Sequence, residues 1–267
     1  MKKLVSLAFL SAAASLMAAD LTTVNVFEDD SKPTAQNPQT GDEQLDEIPN
    51  WVNELSNLPA DKRQLYVNQF SAAKWAYSKG AMDMCHQCLD ACEAIYDKNP
   101  NVWNLRASAY IAVGSFAAAE IWLKKVREVA PDDLVANLNY SLLCLGIGQY
   151  ENCIEECDIL LGDIEYNEKL EPLTHSLIFR KFICLVMMER VDEAKALVKD
   201  ITPLTFTPLY YYSQAVLAMV EKDPERALKE ISAADRIYRT DPYLLTYKQA
   251  IQFTHILESI ANKPEAE

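Results

Sequence analysis

One distance recurs along this chain. It separates Gly80 from Gly114 and Gly114 from Gly148, and it also separates Met82, Phe116 and Tyr150. It links Cys85, Ala119 and Cys153, then Leu89, Leu123 and Cys157, then Cys92, Val126 and Leu160. Earlier in each unit it joins Ala73, Ala107 and Ser141. A period of this length, about 34 residues, marks a row of supersecondary units, because one unit of that size cannot bury its apolar face alone.

Each unit reads as two helices around a glycine turn. In the middle unit Trp103, Ala107 and Tyr110 fall at i, i+4 and i+7, on one helical face. Gly114 supplies the turn residue that ends the first helix. Ala119, Leu123 and Val126 mark the buried stripe of the second, and Ala130-Pro131-Asp132-Asp133 closes the unit. Only 6 glycines occur in 267 residues, which also disfavours a fold of many tight turns.

This pattern resembles the tetratricopeptide repeat (TPR) family, through Trp103, Ala107, Tyr110, Gly114, Phe116, Ala119 and Pro131. The flanking units match at the Gly, aromatic-or-Met and small-residue columns, and depart at the first aromatic and the terminal Pro. The resemblance implies an all-α, right-handed solenoid of about five helix hairpins, with units near 66–99, 100–133, 134–164, 175–207 and 208–240. The last two are weaker. Ala194 follows Cys153 by more than one period, which implies an insertion, expected between Asp163 and Thr174, and Glu189-Arg190 stands where Gly belongs. Ala227 follows Ala194 at close to the usual step, and Asp223-Pro224 forms a helix start. A helix over 242–261 is expected to cap the open end of the stack, residues 49–58 (Trp51, Leu55, Leu58) to cap the other, and 263–267 to form a tail.

The family uses its first helices to line a concave recognition surface. Here the matching positions are Phe70, Lys74 and Tyr77, then Asn104, Leu105 and Ser108, then Leu138, Asn139 and Leu142. The weaker units add Phe179, Arg180 and Ile183, then Tyr212, Ser213 and Val216. The implied activity is non-catalytic capture of an apolar or aromatic protein segment by an interaction scaffold. The paired Lys, Asn and Arg with which one subgroup clamps a C-terminal carboxylate are missing, apart from Lys74 and Asn139.

Met1-Lys2-Lys3, the uncharged apolar run Leu4–Met17 and then Ala18-Ala19 read as a secretory signal peptide over 1–19. Cleavage after Ala19 is favoured, and Ala12-Ala13-Ala14 offers an earlier site. The run is shorter than the roughly 20 residues a membrane-spanning helix needs, so no membrane insertion is expected after signal removal. Residues 20–48 carry eight acids against Lys32 alone, with Pro33, Pro38 and Gly41, and read as an acidic disordered leader. The leader serves as a solubilising spacer, or Val24, Val26 and Phe27 dock in a groove. The expected setting is the bacterial envelope, periplasmic or secreted, with a protein or peptide partner. Acids outnumber Lys+Arg 39 to 25, a net charge of −14 without a basic cluster, which excludes nucleic acid as a partner.

Seven cysteines remain to be explained. Cys85-His86-Gln87-Cys88 has the spacing of a redox pair, and a thiol redox or metal-binding protein using Cys85 and Cys88 is the alternative function. Against it, Cys85, Cys92 and Cys153 fall in columns that hold Ala119 and Val126 in the best unit, and free Cys packs as a small hydrophobe. Cys157 and Cys184 lie on helices expected to be neighbours and form a candidate disulfide pair. His86, His175 and His255 are scattered, and no nucleophile elbow, zinc-protease or phosphate-loop motif occurs. No enzyme activity, metal or cofactor is expected.

Overall fold

The computed structural model describes residues 49–163, 171–205, 207–241 and 243–256. The signal segment 1–19, the leader 20–48, most of the expected insertion and the end of the expected 242–261 helix with its tail lie outside these. Among the described residues the chain is all-helical, with no strand. The helices are α1 (Asn50–Ser56), α2 (Ala60–Ser78), α3 (Met82–Ile95), α4 (Pro100–Ala112), α5 (Phe116–Val129) and α6 (Leu134–Gly146). They continue as α7 (Tyr150–Asp163), α8 (Glu171–Met187), α9 (Val191–Leu197), α10 (Pro208–Val220), α11 (Pro224–Ile237) and α12 (Leu244–Thr254).

Neighbours pack in pairs: α2 with α3, α4 with α5, α6 with α7, α8 with α9, and α10 with α11. Each first helix of a pair also touches the first helix of the next, from α2 through α4, α6 and α8 to α10. The small-residue columns sit at these crossings. Ala73, Ala107, Ser141, Cys85, Ala119, Cys153 and Ala194 are all fully buried. Small side chains there let helix axes approach closely, as dense interiors require.

The turn inside each pair repeats in atomic detail. Gly80, Gly114 and Gly148 have φ of 72°, 74° and 76°. Glu189 and Lys222 hold the same place in the last two pairs, at φ 63° and 61°. In all five the left-handed residue donates to the carbonyl three back, and the next residue donates to the carbonyl five back. Examples are Ser115 N to Tyr110 O at 2.9 Å and Asp223 N to Ala218 O at 2.8 Å. The second bond is the Schellman closure of a helix. Side chains at Glu189 and Lys222 carry a left-handed cost on the order of 1 kcal/mol each. Lys222→Gly and Glu189→Gly are therefore expected to stabilise the protein by about 0.5–1 kcal/mol each, read as a higher urea midpoint. Gly114→Ala is expected to cost about 1 kcal/mol. An added Cβ at Gly114 meets nothing within 4 Å, so that cost is backbone alone.

Helix starts follow local side chains. Asn99 accepts from Asn101 N, Asp133 from Ala136 N, Thr207 from Leu209 N and Asp223 from Arg226 N. The fourth pair departs from expectation at its start. α8 begins at Glu171, so Thr174 is helical rather than the end of a loop. Pro172 suits a first helical turn because its missing N–H has no partner to lose there, and Glu171 favours the positive end of the helix dipole. α9 is short, ending at Leu197, and a separate 3-10 turn follows over Pro203–Thr205.

Candidate functional site

The first helices of the pairs carry the expected recognition residues. Phe70 and Lys74 on α2 are half-buried, with the Lys74 ammonium 5.2 Å from the Phe70 ring centre. Tyr77 is buried, and burial raises its phenol above the ordinary range. Leu138 and Asn139 on α6 are half-buried. Asn139 Nδ2 donates to Asn104 Oδ1 at 2.8 Å and to Ser108 Oγ at 2.9 Å, a polar link from α6 to α4. Asn104, Leu105, Ser108 and Leu142 are themselves buried.

On the later helices every expected recognition residue is buried. Phe179, Ile183, Tyr212, Ser213 and Val216 are at most 1% exposed, and Arg180 is 5% exposed. The expected open groove is therefore closed at these positions. α12 packs against α6, α8 and α10 instead of only capping the end of the row. Its Tyr247 ring lies 4.9 Å from Phe179 and 5.4 Å from Tyr212, centre to centre, and is 1% exposed. Phe253 meets Phe116 edge-on at 5.2 Å. His255 at φ 48° ends the Leu244–Thr254 helix, Ile256 is helical again, and the rest of the expected 242–261 helix lies outside the described residues.

Ion pairs tie each of three first helices to the second helix before it. Arg106 Nη2 reaches Asp90 at 2.7 Å and Glu93 at 2.8 Å. Lys181 reaches Asp158 at 2.6 Å, and Lys248 on α12 reaches Asp235 on α11 at 2.7 Å. Arg106, Lys181 and Lys248 share one column once the insertion is allowed for. That column is present in the sequence, but it goes unnoticed when attention rests on apolar positions.

The thiols are buried and unpaired: Cys85, Cys88, Cys92, Cys144, Cys153, Cys157 and Cys184 are all free. The candidate Cys157–Cys184 disulfide is therefore not formed. Burial pushes the Cys85 and Cys92 thiols up to about 12 and Cys144 to about 11, the opposite of an activated nucleophile. Burial also lowers the His86 imidazole, helped by the nearby Arg106 charge. Among the described residues no group of three or more His, Cys, Asp or Glu is placed to hold a metal ion. Native protein is expected to resist a maleimide at all seven thiols and to take up seven equivalents in denaturant. Fast native labelling of Cys85 or Cys88 would support the redox alternative instead.

No helix among the described residues is long and apolar enough to cross a membrane. Compared with known proteins, the chain matches no family model, no curated protein and no solved structure.

Proposed function

We propose that this chain is a non-catalytic interaction scaffold, a solenoid of five TPR-like hairpins that holds a protein or peptide segment against the inner row of its first helices. One observation carries the reading. The same left-handed turn, with the same two backbone bonds, recurs five times between paired helices whose first members adjoin. Repetition of that kind builds a long surface from similar parts, and such surfaces bind extended segments. The accessible positions are Phe70 and Lys74 on α2 and Leu138 and Asn139 on α6, which remain half-buried on either side of the buried Asn104, Leu105 and Ser108 of α4. Apolar and aromatic groups there would bury a partner's side chains, and the acidic excess disfavours acidic partners.

Export to a bacterial envelope belongs to the same proposal and rests on the sequence of residues 1–19. The test is photo-crosslinking in the native cell, with the reactive residue placed at Phe70 or Lys74 on α2 in the full chain. One recurrent protein crosslinked at both positions, and not from an exposed control site such as Glu128 on α5, supports the scaffold. Absence of any crosslinked protein at both positions removes it. Sequencing the N-terminus of the recovered protein checks the signal: a start at Asp20 supports export, and an intact Met1 counts against it.

A further inference from the structure

The junction between α7 and α8 carries cysteine on both sides. Cys153 on α7 holds the small-residue column of a second helix, and Cys184 on α8 holds a buried column of the next first helix. At the other junctions the same two columns hold Cys85 and Ala109, Ala119 and Leu143, and Ala194 and Leu217. Cys153, Cys157 and Cys184 are all fully buried, and the Cys153 thiol is hydrogen-bonded to the thiols of both Cys157 and Cys184. The thiol beside Cys184 is thus Cys153, one helical turn before the Cys157 that sequence alone pairs with it. The two contacts of Cys153 differ in what they allow. Cys157 lies four residues on along the same helix, where Cβ atoms stand about 5–6 Å apart, and a disulfide needs about 3.5–4.5 Å. Cys184 reaches Cys153 from the neighbouring helix, free of that constraint.

We propose that Cys153 and Cys184 are a disulfide-forming pair: they join when the chain folds in the presence of a small-molecule disulfide, and the bond staples the third helix pair to the fourth. The step is thiol–disulfide exchange. One cysteine, as thiolate, attacks a sulfur of the oxidant RSSR, forms a mixed disulfide and releases one thiolate of the oxidant. The second cysteine, as thiolate, attacks the cysteine sulfur of that mixed disulfide and releases the other. The two cysteines are oxidised by two electrons, the oxidant is reduced to two RSH, and the two cysteine protons end on those thiols. Arg180, one turn before Cys184, places its guanidinium beside all three thiols and favours the attacking thiolate. Burial shields the thiols once α7 and α8 have closed on each other, so the exchange belongs to folding. The bond closes a loop of chain that contains the insertion, where the repeat spacing breaks, and it constrains the unfolded chain there. The inference goes beyond the scaffold reading and does not depend on it.

The experiment refolds the full chain from urea, in one arm with a mixture of oxidised and reduced glutathione and in the other with excess reductant. Free thiols are alkylated in denaturant, and bridges are mapped by proteolysis and mass spectrometry without reduction. The reduced chain, with all its thiols free, is expected to alkylate at all seven cysteines. The glutathione arm is expected to alkylate at five of the seven, with Cys153–Cys184 the sole bridge and a urea midpoint above that of the reduced chain. Cys157→Ala is expected to keep the bridge. Cys153→Ala and Cys184→Ala put into their columns the residue found at Ala119 and Ala109, so both are expected to fold and to lose the bridge. Seven free thiols in the glutathione arm overturn the proposal, as does glutathione left attached to Cys153 or Cys184, or a bridge made by Cys157. A bridged chain that unfolds at lower urea than the reduced chain overturns the staple. The scaffold and export readings are judged separately, by crosslinking at Phe70 and Lys74 and by the N-terminal sequence.

Discussion

Phe179→Ala is expected to destabilise the protein by about 3–5 kcal/mol, the range for emptying a buried aromatic site. For a chain of this size that lowers the melting temperature by roughly 6–20 °C. The reason is local. Phe179 is 1% exposed and contacts three other rings, with centres 5.9 Å away at Phe182, 5.9 Å at Tyr212 and 4.9 Å at Tyr247. These rings come from α8, α10 and α12, so one truncation loosens three helices. Phe70→Ala on α2 is the comparison, because the family resemblance gives both phenylalanines the same recognition role. Phe70 is half-buried, and its loss is expected to cost about 1 kcal/mol. The two variants separate packing from recognition when each is followed by urea unfolding. A Phe179→Ala change within about 0.5 kcal/mol of the parent would mean that α12 does not rest on that ring.

The contrast between those two residues shows what local pattern can and cannot convey. The helices and their pairing are legible because two signals agree. Apolar columns recur at one period, and glycine marks the backbone position that needs positive φ. Glu189 and Lys222 lack the second signal and still adopt the left-handed conformation. Packing of α8 on α9 and of α10 on α11 fixes the turn and overrides the residue preference. The early start of α8 is hidden for a similar reason, since Glu171-Pro172 reads equally well as loop or as first turn. The path of α12 is not legible at all. Its columns continue the repeat, so register alone places it at the end of the row. The contact of Tyr247 with Phe179, residues far apart in the sequence, shows that α12 lies across α8 and α10. The Tyr247 ring helps bury Phe179 and Tyr212, whereas Asn104, Leu105, Ser108 and Leu142 are buried on α4 and α6 and only Phe70, Lys74, Leu138 and Asn139 stay half-buried.

Arg180, next to Phe179 in sequence, is expected to respond in the opposite direction. Arg180→Met is expected to raise stability by about 1–4 kcal/mol, the range seen when buried charge is replaced by apolar volume. The guanidinium is 5% exposed, and no carboxylate among the described residues lies within ion-pairing distance. Its neighbours are the thiols of Cys153, Cys157 and Cys184, which carry no compensating charge in their protonated form. Nη1 donates to Leu138 O at 2.9 Å and to Ser141 Oγ at 2.7 Å, whereas the buried Nε has no partner among the described residues. Removing the side chain strands nothing, because Ser141 Oγ already donates to Leu138 O at 2.9 Å. The desolvation cost of an unpaired cation thus outweighs two hydrogen bonds, and burial pushes the guanidinium below its ordinary pKa for the same reason. Arg180→Lys provides the control. It keeps the charge and loses the planar fork that reaches both Leu138 and Ser141, so it is expected to lower stability by about 1–3 kcal/mol. Urea unfolding of both variants decides the matter. A loss of more than about 1 kcal/mol in Arg180→Met would show that the cation is compensated in the folded protein. The ordering Met above Arg above Lys would instead make Arg180 a site where stability has been given up, and would direct the search for an anionic group that neutralises it in a complex.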